Sequence, residues 1–401
     1  TAPSPPMPVE PASVTTSGLD KWSLWRNGTQ LRGANTWQRI VIPKYDGDQF
    51  LGDGYIGPPY TQEDFNELAS LGANYVNLSH PGIFTERPPY VLDQNVLANL
   101  DQMVAMAFEA DLFVVITFRT GPGRNDFTFY RDDDWFSSND LIESVWEDAE
   151  AQAAWIEMWR FTAERYRNSP NIVGYDLMCE PNSNEILDEW DPDRFEADYG
   201  GSLYDWNTWY PDIVAAIREV DSETPILIGG NGYSALDWLP YLKTIEADRI
   251  VYTFHQYAPF MYTHQEPGAG STYPGQFDTD YDGRSDTFDQ AWLENFLSTA
   301  RDYITNHEVV LAVNEYGVVR WGEGAADFLS DEMTLFEELG LNYALWVWDP
   351  DWQPWINGVN ALNLRLGPDP DNLNDVENEL MLTITEYWAL NTIWPSNYGS
   401  E

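Results

Sequence analysis

Short apolar runs alternate with longer amphipathic stretches along most of the chain. Runs rich in β-branched and aromatic residues fall at 30–37, 75–79, 113–118, 172–178, 225–230, 250–257, 309–315 and 342–348, each short enough for a buried strand. Between them, 61–71, 92–110, 144–167, 203–220, 288–306 and 325–339 read as helices. The first opens on Thr61 with acidic residues in its first turn, a helix-start pattern. The connection from the fifth strand to the sixth shows no clear helix. Alternation of this kind marks βαβ units around a parallel sheet, and eight strands predict an α/β fold: a single (β/α)8 TIM barrel with long loop insertions.

Two of the runs end on a glutamate. Tyr175-Asp-Leu-Met-Cys-Glu-Pro-Asn182 brings Glu180 to a corner locked by proline, and Val309-Val-Leu-Ala-Val-Asn-Glu-Tyr-Gly317 brings Glu315 to a corner ended by glycine. In one parallel barrel the strand tips share a face. Two carboxyls so placed can flank a glycosidic bond, one donating a proton to the leaving oxygen while the other, ionised, attacks the anomeric carbon from about 5 to 5.5 Å away. A lone strand-end glutamate is equally an ordinary structural carboxylate.

The residues around the pair carry more. Cys179-Glu180-Pro181-Asn182, Phe254-His255-Gln-Tyr257, Tyr262-Thr-His-Gln265, Asn314-Glu315-Tyr316-Gly317 and Trp346-Val-Trp348-Asp349, in that order, resemble glycoside hydrolase family 5, the cellulase-like retaining enzymes of a (β/α)8 clan, over roughly residues 31–348. The resemblance implies double-displacement hydrolysis of a neutral β-linked polysaccharide, with endo action on β-1,4-glucan first and β-mannan as the alternative. It implies Glu180 as acid/base, Glu315 as nucleophile, and His255 and Tyr257 as their supports. It also implies Trp348 as the platform beneath the sugar, with Trp346 as the alternative and Asn35 as a further substrate contact; alternating Trp on a barrel strand is also ordinary core.

Three positions depart from the family pattern. Asn77, with His80 near it, stands where an arginine follows the second strand, Arg119 where a histidine follows the third, and Cys179 where an asparagine precedes the acid. Arg119 is expected to supply the missing guanidinium, Asn77 or His80 the lost hydrogen bonds, and the Cys179 thiol only a weak contact to the sugar 2-hydroxyl. These changes leave a non-catalytic carbohydrate-binding barrel as a rival.

Composition narrows the partners. With 20 Lys+Arg against 66 Asp+Glu, a net charge of -46, the chain repels nucleic acid and anionic membranes, and a neutral substrate fits. The 19 Trp and 23 Tyr supply flat faces for sugar rings in an open cleft, with Trp135, Trp190, Trp321, Trp352 and Trp355 as loop candidates. Cys179 is the single cysteine, so no internal disulfide forms. Residues 1–17 read as a Pro-rich linker or processed N-terminus and 18–401 as the catalytic domain, expected to be a secreted or extracellular monomer.

One Asp-rich stretch stands apart. Asp278, Asp280, Asp282, Asp286 and Asp289, with Gly283 and with Arg284 at the carbonyl position, follow the spacing of an EF-hand-like calcium loop. A calcium ion there is expected to be structural, with no cofactor needed for the chemistry.

Overall fold

The computed structural model describes residues 20–46, 53–131, 133–350 and 358–398. Eight parallel strands close into a barrel in chain order: β1 Arg32–Trp37, β2 Tyr75–His80, β3 Phe113–Phe118, β4 Ile172–Asp176, β5 Ile226–Gly229, β6 Ile250–Gln256, β7 Val310–Tyr316 and β8 Asn342–Leu345. β1 pairs with both β2 and β8, which leaves no sheet edge. The helices used below are α1 Gln62–Ser70, α2 Gln94–Glu109, α3 Ala149–Tyr166, α4 Trp206–Arg218, α5 Gln290–Phe296, α6 Ser298–His307, α7 Ala325–Leu339 and α8 Glu379–Trp388, with Pro192–Tyr199 as a further helix between α3 and α4.

Local chemistry sets the boundaries. α1 starts at a capping box, in which the Asp64 carboxylate accepts from the Thr61 amide at 2.6 Å. Asp148 and Asp205 cap α3 and α4, so these helices begin a few residues later than the apolar pattern suggests. The span 288–306 divides into the end of a short hairpin (Gly275–Phe277 with Asp286–Phe288), then α5 and α6. The link from β5 to β6 carries only the 3-10 turn Leu239–Tyr241 among its described elements. α8 was not predicted, although Leu380, Ile384 and Trp388 recur at helical spacing and bury one face, with Asn378 as cap. It packs back on α7.

The barrel interior is layered. At its N-terminal end Leu31, Phe113, Val115, Val173, Leu227 and Ala344 pack around a plug of Leu24 and Trp25, whose indole donates to the Val173 carbonyl at 2.9 Å. Above this apolar floor lies a polar layer from five strands. Asn77 donates to Asn35 Oδ1 at 2.6 Å, the Thr117 hydroxyl lies 2.6 Å from Asn77 Oδ1 and 3.1 Å from Asp176 Oδ2, and Asn314 donates to Asp176. The C-terminal face lies beyond.

Two register shifts decide which side chains enter. In β4 the pairing with β3 slips between Val114 and Val115, which turns Gly174 inward, where a Cβ would stand 2.6 Å from Leu227 Cδ1 and 3.0 Å from Val115 Cγ2. A side chain there would have to displace the Leu227 and Val115 methyls. In β7 the pairing with β6 slips between Val313 and Glu315, so Asn314 joins the polar layer while its neighbour Glu315 still reaches the barrel face.

Outside the barrel, Glu332 of α7 is fully buried beside the Gln256 side chain, and among the described residues its carboxyl oxygens make no well-formed hydrogen bond. Burial pushes its pKa well above the usual carboxylate value of 4.5, with Gln256 opposing. The folded state therefore holds a proton that the unfolded chain releases, and stability declines as pH rises above about 4.5. Glu332→Gln is expected to raise Tm at neutral pH by the equivalent of about 1 kcal/mol or more and to give no gain near pH 4. Melting curves across that range check it, and a gain independent of pH would refute it.

Candidate active site

Four residues past the end of β4, Glu180 sits in the left-handed region at φ +52°. Opposite it the β7 bulge presents Glu315. His255, the penultimate residue of β6, lies between them, with Nδ1 2.8 Å from Glu180 Oε1 and 3.5 Å from Glu315 Oε2. One oxygen of each glutamate and one imidazole nitrogen all fall within 4.8 Å of one another. That proximity fits the close spacing of a retaining pair.

The donors are unevenly shared. Glu315 faces the Tyr257 hydroxyl at 3.0 Å, the Cys179 thiol at 3.5 Å and His255, whereas among the described residues His255 alone donates to the Glu180 carboxyl. Burial raises the Glu315 pKa, and His255, Arg119 and the Tyr257 hydroxyl oppose that shift. Burial alone would depress His255, but the carboxylates of Glu315 and Glu180 lift it to about 9. Tyr257 is raised well above its ordinary value by burial and by Glu315, so it remains a donor.

The sequence matches the family Cellulase (glycosyl hydrolase family 5) over residues 26–351. The chain belongs to that family. It is 26% identical over 316 residues to Endoglucanase C of Acetivibrio thermocellus, covering 71% of this chain and 83% of that protein, and 24% identical to Cellodextrinase A of Ruminococcus flavefaciens, covering 64% and 68%. An endoglucanase of Thermotoga maritima shares the fold with a TM-score of 0.61 at 17% identity, over 91% of this chain and 98% of that one. The family 5 chain is thus an O-glycosyl hydrolase on a (β/α)8 barrel.

Several expected sugar contacts of this family 5 hydrolase lie elsewhere. Trp348 is buried, its indole donates to the Asp64 carbonyl at 2.9 Å, and Arg365 stacks on its ring at 4.3 Å, so it belongs to the outer core and not to the cleft. The half-buried Trp346 faces Arg119 at 5.1 Å and is the platform candidate that remains. Asn35 is fully buried and donates to the carbonyls of Asn314, Ala344 and Leu345; with Asn77 it joins strands instead of binding substrate. His80 points outward to Asn99 of α2 at 2.8 Å, because residues at even and odd positions of a strand face opposite sides.

Arg119 and Cys179 do meet at the centre. Arg119 Nη1 lies 3.6 Å from the thiol, and its guanidinium is held by Asp126 at 3.3 Å and by the face of Phe129 at 4.0 Å. Cys179 is fully buried, so its thiol serves Glu315 and is not open to a sugar. Trp135 and Trp190 are exposed, Trp321 donates to the Gln265 carbonyl, and Trp352 and Trp355 lie outside the described residues.

Two residues near the pair carried no assigned role. His264, inside one of the family motifs, stacks on Phe260 at 4.0 Å and meets Tyr257 edge-on at 5.2 Å; burial lowers its pKa to about 4, which leaves it neutral. Arg124 is fully buried against the Glu180 corner. Nothing in its local sequence separates it from a surface arginine of the same loop.

The Asp-rich stretch is the tip of the 275–288 hairpin and not a helix-flanked loop. Asp278, Asp280 and Asp286 bring carboxylate oxygens within 4.8 Å of one another. Asp289 instead caps α5 by accepting from the Trp292 amide, Asp282 accepts from the Arg284 amide at 2.8 Å, and the Arg284 side chain pairs with Asp282. The expected six-residue ligand set is therefore reduced to three carboxylates.

The raised His255 pKa makes a stability prediction. Stabilisation from its protonated form is complete below pH 6.5 and lost as pH rises through about 9, a difference of about 3 kcal/mol at most. Denaturant titrations of the wild type and His255→Gln should differ most at pH 6 and converge near pH 10. Parallel curves would refute the shift.

Proposed function

We propose that this chain is an endo-acting, retaining β-glycanase whose first substrate is β-1,4-glucan. The reading rests on one observation: Glu180 and Glu315 hold oxygens within 4.8 Å of each other on one barrel face. Glu315 attacks the anomeric carbon and forms a glycosyl ester while Glu180 protonates the departing oxygen. Glu180 then takes a proton from the water that opens the ester, restoring the original configuration. The Tyr257 and Cys179 donors and the charge of His255 beside Glu315 favour its ionised form. The 2.8 Å bond from His255 Nδ1 to Glu180 Oε1 provides a proton held beside the acid.

Trp346 offers a flat face beside Arg119, and the strongly negative charge suits an uncharged polymer. Similarity to endoglucanases favours glucan over mannan. A polymer too large to enter a cell calls for an enzyme released from it, consistent with secretion. No described helix is long and apolar enough to cross a membrane.

Glu180→Gln and Glu315→Gln should each fold and lower kcat by about 10³-fold or more on the best polymer of a β-glycan panel. Azide should rescue Glu315→Ala with products of inverted configuration, and near wild-type turnover in either glutamine variant would overturn the assignment. Preference for mannan in that panel would replace glucan as the substrate. Calcium at Asp278, Asp280 and Asp286 has its own check: a rise in Tm that a chelator reverses and Asp280→Ala abolishes. No shift would remove the ion from this reading.

A further inference from the structure

We propose that Arg124 is the positioning residue that holds Glu180 at its working angle, an inference that rests on the acid/base reading of Glu180. Glu180 occupies the left-handed region at φ +52° with Pro181 after it. A non-glycine residue there is strained and persists only where its surroundings over-determine it. Arg124 provides that determination. It is fully buried, with Nη1 donating to the carbonyls of Arg119 at 3.0 Å and Cys179 at 2.7 Å, and Nη2 donating to the Glu180 carbonyl at 2.7 Å and to Asn182 Oδ1 at 3.3 Å.

The carbonyls of Cys179 and Glu180 bracket the backbone torsions that aim the Glu180 side chain, so one planar guanidinium fixes both. Phe129 supports its face at 4.9 Å. The far side of the corner is tied as well: Asn182 donates to Thr128 Oγ1 at 2.9 Å, and the Tyr233 amide donates to the Pro181 carbonyl at 3.0 Å. Lysine would keep the charge but presents a single nitrogen that does not span these acceptors. A general acid displaced by about 1 Å loses on the order of 10²-fold in rate.

Leaving-group dependence tests the role without confusing it with general stability. A cello-oligosaccharide needs a proton on its departing oxygen, whereas 2,4-dinitrophenyl β-cellobioside does not, because its phenolate leaves unaided. Glu180→Gln should lose oligosaccharide hydrolysis yet release the first equivalent of dinitrophenolate at near wild-type rate. Arg124→Lys should show the same division, with kcat on the oligosaccharide down roughly 10²-fold and KM little changed.

If Glu180→Gln divides the two substrates and Arg124→Lys slows both equally or neither, the positioning role is overturned. If Glu180→Gln itself shows no division, the acid/base assignment falls and the inference with it. Should Arg124→Lys fail to fold, Asn182→Ala removes one acceptor of the guanidinium and should show a smaller division of the same kind; equal losses there overturn the role.

Discussion

Closing eight strands into a barrel leaves an interior that must be filled, and here its upper half is filled with polar groups that survive burial only because they satisfy one another. Asn35, Asn77, Thr117, Asp176 and Asn314 form one hydrogen-bonded layer across β1, β2, β3, β4 and β7. The Tyr75 hydroxyl joins it through Asn314 at 3.1 Å. Burial lifts Asp176 to about 7, with His255, Thr117, and Asn314 opposing, which ties this layer electrostatically to the carboxylate pair above it. The layer is both the lid of the apolar core and the floor of the active site.

Chemistry arises where the regular barrel is broken. The β7 bulge places two consecutive residues on the same side, Asn314 in the floor and Glu315 above it, and the left-handed corner after β4 turns Glu180 back toward Glu315. Each irregularity has a buried arginine nearby. Arg119 approaches Glu315 through the Cys179 thiol, and Arg124 grips the backbone of the Glu180 corner. Both guanidiniums share the Phe129 ring, which packs the two supports into one block. Two guanidiniums, Arg119 and Arg124, are thus contributed from directly after β3.

Most of the fold was legible in the sequence because burial on both faces makes barrel strands continuously apolar and their helices amphipathic, and both patterns are local. Segment ends were less legible. Capping by Asp148 and Asp205 trimmed two helices, and the 288–306 span broke into three elements where the long hairpin insertion meets α5. α8 carried a readable stripe at Leu380, Ile384 and Trp388, short enough to pass for a loop.

The sequence by itself determined the family, the α/β barrel and the two glutamates, since order and spacing of motifs survive without coordinates. Only the tertiary structure decided which neighbours serve them. Trp346 and Trp348 are two residues apart and chemically alike, yet one borders Arg119 while the other is locked under Arg365 against α1. Asn35 and Asn77 are fully buried and bond to each other, which strand position alone does not reveal, and Asp289 of the Asp-rich stretch caps a helix. Arg124 and Cys179 act through atoms brought together from separate strands and loops. Distance and burial are properties of the closed barrel, set by bulges and register that a one-dimensional pattern of apolar and polar residues does not encode.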